Sequence, residues 1–163
     1  MTVDLRGFEY ELEPVRKQRQ WQLEAVQAEL GRVQRALEQA VRRVEELRAQ
    51  HEEQGRCAAR ALQAKVDPGA YATCLRWLAQ LRDGIAGASV TVAELEAERT
   101  QVLRSVLEHQ QRVDVIEKHR DERQAEFVRD ALARSAREND QEWLSRRHAS
   151  RGGRGAGPGE RQG

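Results

Sequence analysis

The side chains best suited to ligate a metal or act as nucleophiles are four histidines, at 51, 109, 119 and 148, and two cysteines, at 57 and 74. Their spacing argues against both roles. No two histidines stand four apart on one helix face, and none follows a glutamate by the three residues that a carboxylate-bridged metal bundle uses. No serine or cysteine has a histidine and an acid placed for nucleophilic work. The chain also lacks the GxxxxGK[ST] loop that cradles phosphates. It is therefore expected not to be an enzyme, and to need no cofactor, metal or small-molecule substrate.

The elements that carry these residues show why. Leu23, Val26, Leu30, Val33, Leu37, Ala40, Val44 and Leu47 step by alternating threes and fours through Glu, Gln and Arg. A stripe of that period is a coiled-coil seam, because it keeps one narrow face of an underwound helix against its partner. Leu78, Leu81, Ile85, Ala88, Val92, Leu95, Arg99, Val102, Val106, His109, Val113 and Ile116 repeat the pattern. The chain thus carries both halves of a seam. His51 and His109 lie on the two stripes at different heights, as polar positions that set register.

Composition agrees. The 163 residues are 34% charged and 4% aromatic, with a mean hydropathy of -0.83, a profile of long helices whose apolar surface is buried in one thin line. A thin rod offers no water-excluding pocket. The 28 basic and 27 acidic residues leave a formal charge of +1, so no global field steers the chain to nucleic acid or membrane. No apolar run reaches the ~18 residues of a membrane helix. Met1–Tyr10 lacks a signal-peptide core, and a cytoplasmic location is expected. There Cys57 and Cys74, which flank the predicted turn, are expected as reduced thiols, with a bridge across the hairpin as the alternative.

Residues 1–10 lack periodicity and are expected to fray. Phe8, Tyr10, Leu12 and Val15 lead into a first helix of about 11–64, with Pro14 in its opening turn. At 1.5 Å per residue such a helix is about 75 Å long. Charged seam positions Arg16 and Arg19 predict a looser start. A turn over 65–69 follows, in which Asp67 caps the next helix and Pro68 takes its first position. The second helix is expected over about 68–147. Gly84, Gly87 and the run Val90-Thr91-Val92 weaken it locally by roughly 1 kcal/mol per glycine. The heptad phase passes through without a slip, which predicts a continuous helix; a break near Asp83–Ser89 is the alternative.

Folding back at this turn sets Ile116 beside Arg19 and Leu12 near Arg123. The second stripe ends where the first helix runs out, with Arg120 and Arg123 next in line. The fold expected is all-α: an antiparallel coiled-coil hairpin over 1–150 whose second helix overhangs the first, then a disordered Gly/Arg-rich tail over 151–163.

The overhang, about Glu117–Arg147, is expected to have no partner within the chain and presents Phe127, Val128, Ala131 and Leu132, then Trp143 and Leu144. A lone helix with so little to bury is marginal unless something receives those patches. His119–Arg123 is either a solvated face or a partner contact. Trp77, beside Leu75 near the turn, either caps the hairpin tip or docks another protein, and docking is the reading favoured. The RGGRG of Arg151–Gly155 is read as a solubilising end. Competing readings are an Arg-rich nucleic-acid-binding coiled coil, using Arg146, Arg147, Arg151 and Arg154, and a passive scaffold.

Three stretches carry a family likeness. The opening Tyr10-Glu11-Leu12-Glu13-Pro14-Val15, the helix Tyr71–Ile85 with Trp77, Leu78 and Leu81, and the closing Ala136-Arg137-Glu138-Asn139-Asp140-Gln141-Glu142-Trp143 resemble the FliJ/YscO proteins. These are central stalk components of type III secretion systems, and the opening favours the injectisome branch. The resemblance implies a two-helix rod that enters the hexameric export ATPase ring and promotes its assembly and activity. It also implies contacts with the export gate's cytoplasmic domain and with secretion chaperones, at the cytoplasmic face of the apparatus. Gate contact would fall at Trp77 and Leu81. Contact with the ATPase or another partner is expected at Arg120, Arg123, Phe127, Val128, Leu132 and Trp143. Gly84, Gly87 and the Gly-rich tail depart from the family pattern.

Overall fold

A computed structural model describes residues 7–64 and 67–152. Two long helices packed against each other make up the fold: α1, Glu13–Gln63, and α2, Pro68–Gly152. No strand occurs among the described residues. The frayed start read for residues 1–6, turn residues 65 and 66, and the tail from 153 onward lie outside the described residues. The chain divides into two units, one of Lys17–Val113 and one joining the residues up to Arg16 with those from Asp114.

In the Lys17–Val113 unit the helices run antiparallel and bury the two stripes. Leu23, Val33, Val44, Leu47 and Ala58 of α1, and Leu81, Val102 and Val113 of α2, form the core, and among the described residues no side chain is completely enclosed. Each such burial is worth about 1.5–3 kcal/mol for the larger aliphatics. Val26, Leu30, Leu37, Leu78, Ile85, Val92, Leu95 and Val106 are half-buried along the same line, whereas Arg99 remains exposed. His109 is half-buried with Nδ1 enclosed and unpartnered, the cost of a polar group on the seam.

The helix ends follow from local chemistry. Ala70 N–H donates to Asp67 Oδ2 at 3.1 Å and Tyr71 N–H to the Asp67 carbonyl at 3.2 Å, an N-cap with Pro68 as first helical residue. A Cβ at Gly69 would lie 2.9 Å from that carboxylate oxygen, so glycine leaves room for the cap. Arg60 in the last turn of α1 suits its carbonyl end.

The helix α2 is continuous through Gly84 and Gly87. Gly84 lies against the Leu47 methyls, and the Thr91 hydroxyl donates to the Gly87 carbonyl at 3.4 Å, so the β-branched run is tied into the helix. It also runs on to Gly152, past the end near Arg147 expected from the sequence and two residues into the stretch read as tail. Backbone hydrogen bonding propagates until glycines accumulate, since each residue added costs less than the first turn.

In the second unit Ile116, the last apolar residue of the α2 stripe, is buried. Residues 7–10, expected to fray, and residues 11 and 12, expected to open the first helix, instead lie along α2 as a strap: two aromatic side chains dock, and Glu13 N–H donates to the Tyr10 carbonyl at 3.0 Å, leading into α1. Part of the overhang therefore has a partner within the chain.

Candidate functional site

Two surfaces gather the residues singled out by sequence. The first is built on α2 beyond Asp114. Tyr10 Oη lies 2.8 Å from His119 Nδ1 and 3.4 Å from the Ile116 carbonyl. Its hydroxyl hydrogen goes to Nδ1 when that nitrogen is bare and to the carbonyl when Nδ1 carries a proton. The rings of Phe8 and Phe127 meet at 5.7 Å with a 59° tilt, a geometry that aligns ring edge with ring face. Gly7, Phe8, Tyr10, Leu12, His119, Arg123 and Phe127 line a groove of about 600 Å³ there.

Charges frame this groove. Arg16 donates through Nε and Nη2 to both Glu13 oxygens at 2.8 and 2.7 Å, and through Nη1 to Glu117 Oε1 at 2.8 Å. The hydrogen bond to Glu13, then that to Glu117, holds its guanidinium above the ordinary range. The charged seam position Arg16 thus ties the helices together. Arg120 reaches Glu117 at 3.6 Å and Arg123 reaches Glu126 at 3.0 Å, both within α2.

Farther along, Val128 is half-buried and Leu132 exposed. Trp143 is 57% exposed, with the Arg147 guanidinium 5.0 Å from its ring centroid. Arg146 pairs with Glu142 at 3.0 Å. Leu132, Trp143, Leu144 and Arg146 are exposed along this part of α2.

The second surface lies beside the turn, in the Lys17–Val113 unit. Trp77 is 48% exposed, and Leu75 and Leu62 are exposed as well. Leu81, paired with Trp77 by sequence, is only 6% exposed and belongs to the seam. The two sit four apart on α2, but only Trp77 is available to a partner without opening the hairpin. On α1, Glu53 accepts from Arg56 at 2.8 Å, which holds its carboxyl below the usual value and raises the Arg56 guanidinium.

Sequence reasoning missed the strap, whose only signal was the pair of aromatics Phe8 and Tyr10 ahead of the helix. It also passed over Trp21, 79% exposed on α1. Among the described residues no cluster of three or more His, Cys, Asp or Glu is placed to hold a metal, and no helix is long and apolar enough to cross a membrane. What the surfaces offer is contact: aromatic anchors within bands of arginine and glutamate.

A family model described as flagellar FliJ protein matches residues 8–153, spanning the strap and both helices. No curated protein and no solved structure gives a significant match.

Proposed function

This chain belongs to the FliJ family, and from that premise we propose that it is a non-catalytic stalk of a type III export apparatus, acting at the cytoplasmic face of the membrane. In this reading it enters the hexameric export ATPase ring, promotes ring assembly and ATP turnover, and links the ring to the export gate and to secretion chaperones. The observation that carries the reading is the family match over 8–153, which takes in both helices and the overhang.

The surfaces support it physically. The overhang end of α2 presents Arg120, Arg123, Val128, Leu132 and Trp143, with Phe127 under the strap, to the ring. Arg120 and Arg123 sit in intrahelical pairs at or near the surface, each worth about 0–1 kcal/mol. Many such contacts hold a stalk in a ring without one deep anchor that would stop it turning. Beside the turn Trp77, with Leu75 near it in sequence, meets the gate, while Leu81 is buried on the seam. The Tyr10–Val15 opening favours the injectisome branch, although the matching family is described by its flagellar member.

The test is ATP turnover and hexamer formation by an export ATPase, with and without this chain, using one ATPase from each branch. Stimulation of one ATPase supports the stalk and names the branch. No change in turnover or assembly with either removes the reading.

A further inference from the structure

Both cysteines are free and half-buried, one on each helix of the Lys17–Val113 unit. Their placement follows from a contact between the two helices. An added Cβ at Gly84 would lie 3.8 Å from Leu47 Cδ1, so these two residues face each other across the hairpin. Ten residues nearer the turn on each helix stand Cys57 and Cys74. Antiparallel helices of equal rise keep such residues level. Cys74 is on the seam, four residues before Leu78 and seven before Leu81, and Cys57 adjoins the buried Ala58.

We propose that Cys57 and Cys74 form a reversible intramolecular disulfide that locks the turn end of the hairpin when the chain meets a peroxide. As the thiols stand, Cys57 donates to Glu53 Oε1 at 3.7 Å and accepts from Arg60 Nη2 at 3.8 Å. Both are long contacts at the flank of the seam, and rotation of the Cys57 side chain exchanges them for an approach to Cys74. A bridge requires Cα atoms within about 7 Å. The α1 side of the seam there is Ala58 and the half-buried Ala61, small side chains that let α2 draw close at Cys74, with the half-buried Tyr71 one seam position nearer the turn. Disulfides in reducing compartments are characteristically transient and redox-sensing, which is the class assigned to this pair.

The chemistry balances with hydrogen peroxide as oxidant. The Cys57 sulfur attacks one peroxide oxygen and breaks the O–O bond, giving a sulfenic acid and one water. The Cys74 sulfur then attacks Cys57 Sγ. The S–S bond forms as the S–O bond breaks, and the departing hydroxide takes the Cys74 proton as a second water. Two thiols lose two electrons and two protons, and the peroxide is reduced to two waters.

The experiment uses the full chain alone, so its outcome is independent of the stalk reading. Dilute protein is treated with hydrogen peroxide, alkylated, and examined by intact mass, peptide mapping and thermal melting. The expected product is a monomer lighter by two hydrogens, with Cys57 and Cys74 peptides joined. Closing so short a loop raises the melting temperature by about 5–10 °C, and a thiol reductant reverses the gain. Cys57→Ser and Cys74→Ser each keep the helical spectrum and melting of the reduced chain but show no peroxide-dependent rise. Disulfide-linked dimers alone, sulfinic acids without a bridge, or a bridge that leaves melting unchanged would overturn the proposal.

Discussion

Tyr10 Oη and His119 Nδ1 stand 2.8 Å apart, although 109 positions separate them in the chain. With Phe8 on Phe127, this pairing turns an aperiodic opening into a docked strap. It also covers an apolar ring of α2 that would otherwise face water.

Removing the Phe8 ring or the Tyr10 hydroxyl should loosen the strap while leaving both helices formed. The Phe8–Phe127 pair is worth about 0.5–1.5 kcal/mol beyond its buried area, and the Tyr10 hydrogen bond about 1 kcal/mol. Phe8→Ala and Tyr10→Phe are therefore expected to speed amide hydrogen exchange at Glu13 and Arg16, whose N–H groups bond the Tyr10 and Leu12 carbonyls. Unchanged exchange in both variants would mean the strap contributes nothing to the order of these amides.

Gly87→Ala should stabilise the hairpin. An added Cβ there meets nothing within 4 Å, and the helix-propensity gain is about 1 kcal/mol. At Gly84 the same change places a methyl 3.8 Å from Leu47, an ordinary contact, so stabilisation of similar size is expected. Chemical denaturation of the single and double variants checks this; a fall in midpoint would mean that the interface needs glycine.

Trp77 and Leu81 separate binding from folding. Leu81→Ala empties a seam position and is expected to cost about 2–4 kcal/mol in stability. On the function proposed above, Trp77→Ala should leave stability within about 1 kcal/mol of the parent and weaken binding to the gate domain about tenfold or more. Equal loss of stability in the two would place Trp77 in the fold instead.

Acid should loosen the stretch around Glu53. Its carboxyl is held below the ordinary value, chiefly by the Arg56 hydrogen bond, so its contribution is complete above the unfolded glutamate value and is lost as pH falls through the depressed one. Amide protection at residues 53–60, taken relative to the intrinsic exchange rate at each pH, is expected to fall across that acidic window in the parent. In Glu53→Gln the protection should be lower at neutral pH and flatter with pH. Both partners are exposed, so added salt should mimic the substitution in part.

How much of this was legible in the sequence depended on whether the information was periodic. Leu23, Val33, Val44, Leu47, Leu81, Val102, Val113 and Ile116 are buried on the stripes their spacing defines, because a seam repeats the same local rule at every turn. The Asp67–Pro68 cap was legible for the same reason, since its donors and acceptor are neighbours in the chain. The strap was not, because a single aromatic pair carries no period and its partner lies on the far helix. Leu81 was assigned outward by likeness to a family segment, while its own spacing marked it for the interior.

Trp21, Trp77 and Trp143 are the only tryptophans, and all three are exposed. Each stands on a different stretch of helix: early in α1, beside the turn, and near the end of α2. The protein therefore carries its own fluorophores. Replacing two of the three by phenylalanine leaves one indole whose emission shifts to the blue when a companion excludes water from it, so each docking event acquires an optical signature without an attached dye.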